Sequence, residues 1–489
     1  MCVYLTLMKL KNVDVSSELK KVEEYLESHK NLSVEIVTLI RMLMMIISLM
    51  MNFFGANSKN SGKPPSQDPF RKKNGRTKTG KKAGGQQGHA GVTLQPVDEP
   101  DEIINLKIDP KTLPKNRTFT ELPSQKRQEF NIKITTFITE YQAQVLMDNY
   151  GEKYVAQFPK GIDGVVQYGS TVRGMAVYLS NYQMLPFERM NDFFRHQIGL
   201  PISTGSLVNM NAEASKLLLE FEQAVKRALI KSSLIYHDET GINIAGKTHW
   251  LHSASNELWT LFCAHKRRGN EAMNDIGILP NFSGIVMHDN WASYFIYECV
   301  HALCNAHHIR ELTRAAEDDA QKWAAEMIAL LLNIKKEVDE CSDGKLSTER
   351  IAARNNEYDT LLIQAELECP PPLPDPLPET GQKKKCGRQK KTKSRNLLER
   401  LRDRKAATLL FMENQSVPFT NNQAERDLRM TKVQQKISGC FRSENGADDF
   451  CRIRSFISTC IKQGEDVSLA LNNLFRGKLP DFLKPYLPH

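Results

Sequence analysis

The stretches LIYHDETG (residues 234–241) and GIVMHDNWASY (284–294) decide the fold class of this chain. Each holds a short apolar run followed directly by the pair His-Asp, and runs of this kind are typical of buried strands. We therefore expect Asp238 and Asp289 to project from strand ends at the edge of a sheet. The segments around the two aspartates extend this prediction.

Three antiparallel strands are predicted for SLIYHDE, INIAGKTHWLHSAS and ELWTLFCAH (233–265). A helix then leads to GIVMHDN, and another helix leads to a short strand over Val300–Cys304. Three strands, helix, strand, helix and strand, with acids on the first and fourth strands, is the order of a ribonuclease-H-like fold. A third acid, Glu425, lies in the helical stretch TNNQAERDLR (420–429), beyond a mostly helical segment over residues 308–366.

Length and composition limit the number of domains, the cellular compartment and the chance of a membrane segment. The chain has 489 residues, enough for several domains, and a formal net charge of +9 with the basic residues bunched. Ten scattered cysteines without a paired C-x-x-C predict reduced thiols and a cytoplasmic protein. The first residues have neither a basic n-region nor a small-residue cleavage site, so no signal peptide is expected among them, and the apolar run Met42–Phe54 is too short to span a bilayer.

A heptad pattern begins at Ile36, before this apolar run, and continues through it. Such a pattern is typical of helices that pair along one seam. Two interpretations stay open, a dimerising helix and a helix packed onto its own domain. The residues of the seam are Ile36, Leu39, Leu43, Ile46, Met50 and Phe53.

Residues 57–96 are rich in Gly, Pro, Ser and Lys and predict a linker. Its basic stretch begins with Arg71, Lys72 and Lys73, and is either an arm that follows a phosphate backbone or a solvated tether. Residues 97–165 contain stretches in which apolar and polar residues alternate, such as Phe130–Ile138. This alternation predicts a small β-rich module.

Three helix-like stretches follow in residues 169–230, separated by Pro186 and Pro201. Ser203 is the expected N-cap of the third helix. Such a set either places one helix in a DNA groove or packs without touching DNA.

The three acids suit a hard divalent ion, because Mg²⁺ prefers carboxylate oxygens and leaves positions open for water and phosphate. The residues alone leave other interpretations open. Asp238 before Glu-Thr-Gly also fits a turn, and Glu425 also fits a surface ion pair with Arg429. Glu239 points away from Asp238 on a strand and is the weaker candidate.

Over most of its length the chain resembles transposases of the insertion-sequence sixty-six family, whose catalytic domain is an Asp-Asp-Glu nuclease of ribonuclease-H-like fold. The pieces that carry the resemblance occur in order: NSKNSGKPPSQDP, GGQQGHAG, QFPKGIDGVVQYGS, LPISTGSL, HDETGINIAGKTHWLH, HDNWASY, CNAHHIREL and NNQAERDLRMTKVQQKISGCFRS.

The resemblance implies that Asp238, Asp289 and Glu425 are catalytic and bind Mg²⁺ or Mn²⁺, with two ions expected. It implies cleavage and strand transfer of double-stranded DNA at element terminal inverted repeats and target DNA, by a bacterial, nucleoid-associated homo-oligomer with accessory proteins of the same element. His307 and Arg310 are expected to support the site. A transposase-derived DNA-binding protein without cleavage activity is the alternative, and a ribonuclease is a third.

Two observations argue against zinc. Cys304, His307 and His308 lie close in sequence, but no second ligand pair follows to complete a structural site. In addition, residues 97–157 contain no cysteine where the family carries a zinc module. For His307 a structural role, catalytic support and metal binding stay open.

The stretch after Glu425 is strongly basic, which predicts phosphate contacts or, for some residues, a solvated face. The predicted DNA-binding residues here are Arg426, Arg429, Lys432, Lys436 and Arg442.

In sum, the sequence predicts an α/β multidomain protein. A ribonuclease-H-like core, a mixed sheet with helices and a helical insertion, is preceded by a helical DNA-binding region and an N-terminal coiled-coil-like helix. The predicted division is 1–56 N-terminal helical, 57–96 linker, 97–165 β-rich module, 166–231 helix-turn-helix-like, 232–332 core, 333–405 helical insertion and Pro/Lys-rich linker, 406–465 second core part with the catalytic Glu, and 466–489 C-terminal tail.

Overall fold

The computed structural model describes residues 15–29, 33–55, 94–372 and 391–487. The chain divides into two compact units, one of residues 1–71, 159–191 and 202–489, the other of residues 72–158 and 192–201. The basic residues Arg71, Lys72 and Lys73 and most of the Pro/Lys-rich linker lie outside the described residues.

Two helices, α1 (Val15–Ser28) and α2 (Val34–Gly55), open the described chain and are joined by an ion pair from Arg41 to Glu23 at 3.1 Å. The seam residues of α2 whose side chains are described, Ile36, Leu39, Leu43, Ile46 and Met50, are exposed rather than packed onto the protein's own domain, with Leu39 64% exposed. Among the described residues, no helix combines the length and apolar character that crossing a bilayer requires.

Residues 94–168 contain little regular structure. The two strands found there are three residues long, β1 (Val145–Met147) and β2 (Lys153–Val155), and they pair antiparallel. The alternating stretch Phe130–Ile138 forms no strand, so that prediction is wrong. Its apolar side chains are exposed, Phe137 by 93%, because no strand or helix covers one face of the alternation.

Helices fill residues 170–230 as predicted: α3 (Ser170–Asn181), α4 (Phe187–Phe193) with a π-helical turn over Phe194–Ile198, α5 (Thr204–Leu217) and α6 (Leu219–Ile230). Ser203 caps α5 by accepting the backbone N–H of Ser206 at 3.0 Å, which confirms the predicted N-cap. The third predicted helix is two helices, because the backbone bends at Leu218.

A five-stranded mixed sheet forms the centre of the larger unit. Its strands are β3 (Leu234–Ile244), β4 (Lys247–Ser255), β5 (Thr260–His265), β6 (Ile285–His288) and β7 (Val300–Leu303). The spatial order is β5-β4-β3-β6-β7. The pairs β3–β4 and β4–β5 are antiparallel, whereas β3–β6 and β6–β7 are parallel.

The first hairpin differs from the prediction. β3 continues through Gly241 to Ile244 and reverses at Ala245-Gly246, where both residues have positive φ. A two-residue turn of this kind matches the twist of the strands that it joins. Asp238 therefore lies within β3, and the expectation that it projects from a strand end is wrong for this residue.

Helices cover both faces of the sheet. Between β5 and β6 lies α7 (Asn270–Ile276). After β7 come α8 (Asn305–Glu317), α9 (Lys322–Glu340), α10 (Thr348–Glu368), α11 (Lys393–Asp403), α12 (Lys405–Glu413), α13 (Asn422–Ser438), α14 (Glu444–Lys462) and α15 (Val467–Leu474).

Alternate residues of β3 enter different cores. Ile235 packs into the cluster that includes residues of α5, α6, α14 and α15. Tyr236 packs with α8 to α12, and Ile242 packs with Leu428 of α13. Because side chains alternate across a strand, Asp238 shares the face of Tyr236 and Ile242, and Glu239 lies on the opposite face.

Candidate active site

Asp238 and Asp289 occupy matching places on neighbouring strands. The parallel ladder of β3 and β6 pairs Tyr236 with Met287, and each aspartate lies two residues farther along its own strand. Asp289 follows directly after the end of β6. Since neighbouring strands are about 4.8 Å apart, this register places the two aspartates side by side on the same face of the sheet.

Cys304 continues the same row. β6 pairs with β7 through His288 and Leu303, so the next residue on each strand brings Asp289 level with Cys304. The backbone N–H of Cys304 donates to the carbonyl of His288 at 3.0 Å, which extends this pairing. The end of the parallel ladder thus places Asp238, which lies within β3, then Asp289 and Cys304 in order across three strands.

Glu425 enters from α13, the helix that covers this face of the sheet. Asn421, the residue before α13, fixes its start. The Asn421 side chain donates to the carbonyl of His237 at 3.1 Å, and its backbone N–H donates to the Sγ of Cys304 at 3.2 Å. These bonds place the first turn of α13, with Glu425, beside the row formed by Asp238, Asp289 and Cys304.

The ion pair found for Glu425 within the described chain is with Arg310, at 3.8 Å. The alternative pairing with Arg429, which the helical spacing allows, is not the one that forms. Arg310 comes from α8 and is exposed by about a third. The predicted supporting residue therefore lies beside the predicted catalytic glutamate.

Negative charge is concentrated around Asp238. Burial raises the pKa of the Asp238 carboxyl well above its usual range, and the neighbouring Glu239 and Asp289 raise it further. The backbone N–H of Glu239 donates to its carboxylate at 2.8 Å. Carboxylates crowded in this way are stabilised by a cation, so the donor chemistry fits a divalent metal.

His307 lies one helical turn after Cys304, on the same side of α8. A ring nitrogen of His307, the Sγ of Cys304 and a carboxylate oxygen of Glu425 are all within 4.8 Å of one another. The buried Nδ1 of His307 has no hydrogen-bond partner among the described residues. Burial lowers the pKa of His307 and so favours the neutral ring.

His308 has a structural role instead. It is buried, its Nε2 contacts the Asn290 side chain at 3.2 Å, and its Nδ1 contacts that of Asn305 at 3.2 Å. With both ring nitrogens engaged, it offers no free ligand atom.

Arg268 was not predicted from the sequence, yet it contacts two carboxylates at the site, those of Glu239 and Asp289. It binds Glu239 at 2.7 Å and approaches Asp289 at 3.9 Å. Its guanidinium lies over the rings of Trp250 and Trp291, with 4.9 and 4.2 Å to their centroids. The only sequence signal is its place in the basic stretch HKRRGN.

A cleft of about 410 Å³ opens beside Asp289. Four arginines border it, and Arg400 and Arg404, contributed by α11 and the residue that follows it, were not predicted. The charged and polar lining includes Arg268, Asp289, Asn290, His307, Arg310, Glu311, Arg400 and Arg404. Such a basic cleft next to carboxylates can hold a phosphate group.

The predicted basic residues after Glu425 lie on or just beyond α13. Arg426, Arg429, Lys436 and Arg442 are exposed. Lys432 is half-buried and donates to the carbonyl of Gly241 at 3.0 Å, so it also ties α13 to β3. The structure leaves the DNA contacts of these residues as predictions.

Comparison with known proteins agrees with the resemblance. None of the curated proteins compared with the chain is significantly similar to it. A family model described as Transposase IS66 family matches residues 166–449, which is more than half of the chain and includes the sheet, α13 and all three predicted acids. The chain therefore belongs to the IS66 family of transposases.

Proposed function

We propose that this transposase cleaves DNA at element ends and transfers the cut strands, with Asp238, Asp289 and Glu425 as its metal-binding catalytic residues. The observation that carries the proposal is the matched position of Asp238 and Asp289 at the end of the β3–β6 ladder. It gains weight because the family assigns a transposase function and DNA as the partner.

The core is proposed to be ribonuclease-H-like. Supporting this, three antiparallel strands continue into two parallel ones in the order β5-β4-β3-β6-β7. In chain order β3 and β6 are the first and fourth strands of this sheet. Asp238 lies in β3 and Asp289 directly after β6, and Glu425 lies on a later helix. Helices α8 to α12 lie between the second aspartate and Glu425, and the predicted insertion, residues 333–405, would comprise the end of α9 together with α10 and α11.

Mg²⁺ or Mn²⁺, in two ions, is the proposed cofactor, and the family typically uses divalent metals. When bound, such ions activate the attacking oxygen and stabilise the leaving oxygen of a phosphoryl transfer. Asp238 and Asp289 supply carboxylate oxygens from a rigid sheet, so little reorganisation is needed. Arg268 and Arg310 lie at the cleft beside them, where a cation can orient a phosphate.

Amide substitutions test this function, because they remove the charge of a carboxylate and keep its shape. D238N, D289N and E425Q should each reduce cleavage of DNA that carries the terminal inverted repeats by roughly 100- to 1000-fold, since bound metal contributes several kcal/mol. Binding of the same DNA, measured by gel shift, should be unchanged. Asp343, in an exposed loop, provides the control substitution D343N.

Cleavage at the wild-type rate by any of the three variants would exclude that residue from the catalytic set. Wild-type protein that binds the terminal repeats but never cuts them with Mg²⁺ or Mn²⁺ would favour the alternative, a transposase-derived DNA-binding protein.

A further inference from the structure

The donor set around Glu425 contains sulfur and nitrogen as well as oxygen. The Sγ of Cys304, a ring nitrogen of His307 and a carboxylate oxygen of Glu425 lie within 4.8 Å of one another. The row of aspartates lies beside this group, since Cys304 is level with Asp289. Three different ligand types therefore meet at one point, from two helices that are far apart in sequence.

The local fold holds these groups in place. Cys304 is the residue before α8 and is buried, and His307 lies one turn into the helix. Asn421 binds the Sγ of Cys304 through its backbone N–H and starts the helix that carries Glu425. A metal that bridges the two helices would therefore find the Sγ of Cys304 already held by a main-chain hydrogen bond from the residue before α13.

The distances suit a first-row transition ion. Metal bonds to sulfur, nitrogen and oxygen ligands are about 2.0–2.3 Å, so ligand atoms around one tetrahedral ion are roughly 3.3–3.8 Å apart. The present separations, at most 4.8 Å, require about an ångström of side-chain movement. The buried Nδ1 of His307 has no hydrogen-bond partner among the described residues, so this nitrogen is free to bind a metal.

The donor types distinguish this ion from magnesium. Mg²⁺ prefers oxygen ligands in near-ideal octahedral geometry, whereas thiolate and imidazole favour Zn²⁺ and similar ions. Thiolate and carboxylate together carry two negative charges, which balance one dication, and the imidazole stays neutral. Three protein ligands with one open position is the pattern of a reactive zinc site rather than a structural one.

We propose that Cys304, His307 and one carboxylate oxygen of Glu425 bind one borderline-soft divalent ion of the Zn²⁺ class, with the fourth position open to water or a phosphate oxygen. The other oxygen of Glu425 is left for the catalytic metal of the proposed function. On binding, the S–H bond of Cys304 breaks, its proton passes to solvent, and a sulfur–metal bond forms. Binding of this ion does not depend on DNA cleavage, although any part that it plays in catalysis rests on the proposed function.

Cobalt is the probe, because Co²⁺ replaces Zn²⁺ and absorbs visible light when a thiolate is bound. Metal-free, full-length protein titrated with Co²⁺ should gain a sulfur-to-metal charge-transfer band and strong tetrahedral bands at one ion per chain. C304S should lose the charge-transfer band. H307A should weaken Co²⁺ binding by about 100-fold, since even outer-shell partners of a metal matter 10- to 100-fold.

Matched controls separate these effects from general damage. C341S changes a thiol outside the group, and H196A changes an exposed histidine, so both should keep the wild-type spectrum and affinity. If C304S fails to fold, as judged by circular dichroism, H307Q provides an independent test. D238N should keep the thiolate band even though it lacks cleavage, which distinguishes failure of this proposal from failure of the proposed function.

A charge-transfer band that persists in C304S, or a wild-type protein that binds Co²⁺ with an all-oxygen, octahedral spectrum, would overturn the proposal. Equal Co²⁺ affinity of the wild type and H307A would do the same.

Discussion

Arg268 holds the buried carboxylate of Glu239 with two nitrogens, Nε at 2.8 Å and a terminal nitrogen at 2.7 Å. The Glu239 side chain is fully enclosed, while that of Arg268 is about one-third exposed. The hydroxyl of Tyr294 donates to the other oxygen of the same carboxylate. Glu239 lies on the sheet face opposite Asp238, so we expect its ion pair to fix β3, while Arg268 also reaches the cleft at Asp289, 3.9 Å away.

R268A should lower the stability of the protein by about 2–3 kcal/mol, because it leaves a buried carboxylate without its cation. Adding E239Q should recover much of this loss, since the amide is neutral and can still accept from Tyr294. Thermal or urea unfolding of the single and double variants measures both effects. R267A removes the adjacent, exposed arginine and should cost under about 0.5 kcal/mol. Equal losses in R268A and the double variant would contradict this account.

N421A should reduce cleavage more than it reduces DNA binding. The side chain of Asn421 binds the carbonyl of His237, next to Asp238, so its loss leaves a buried acceptor unpaired at a cost of about 1–3 kcal/mol. Faster amide hydrogen exchange over residues 420–430 would report the loosened start of α13. N422A alters the exposed neighbouring asparagine and should change neither measurement. Unchanged exchange in N421A would show that the side chain does not anchor the helix.

The exposed arginines and the exposed lysine of α13 predict a salt-dependent effect on DNA binding. R429A and K436A combined should reduce the slope of log K against log salt by about 2, because each phosphate contact contributes about 0.9. K336A, on the outer side of α9, should leave the slope unchanged. A double variant with the wild-type slope would place the DNA elsewhere.

Ala245, in the turn that joins β3 to β4, is not the residue type that best suits the backbone conformation there. Ala245 has a φ of 49°, in the left-handed region that costs an ordinary residue about 1–2 kcal/mol. A245N should therefore raise stability by about 0.5–1 kcal/mol, because Asn-Gly is the preferred pair in such turns. G246A should lower it, since Gly246 has a φ of 80°. Destabilisation by A245N in an unfolding titration would refute the prediction.

The exposed seam of α2 predicts self-association through this helix. L43E should shift the protein towards a monomer in sedimentation or light scattering, because a charge on the seam would be buried against the second helix. T38E places the same charge on α2 away from the seam and should leave the mass unchanged. A monomeric wild type, or a mass unaltered by L43E, would leave α2 without this function.

Much of the candidate site could be found from sequence because its chemistry is local. The apolar runs before His-Asp predicted two strands, β6 ends where expected, and Ser203 caps its helix as predicted. The family resemblance, confirmed over residues 166–449, supplied the connection to Glu425. The length of β3 was predicted wrongly, because Thr240 and Gly241 are residue types typical of turns, although here they lie within the strand.

The sequence by itself determined most element types from residue 169 onward, the basic character and the family of this protein, since periodicity and motifs are properties of neighbouring residues. Only the tertiary structure decided which of these residues meet. The registers of β3, β6 and β7 bring Asp238, Asp289 and Cys304 into one row, and Asn421 sets Glu425 above it. Strand register and helix docking depend on packing between separate segments, 51 residues apart for Asp238 and Asp289 and 184 apart for His237 and Asn421, which no local pattern encodes.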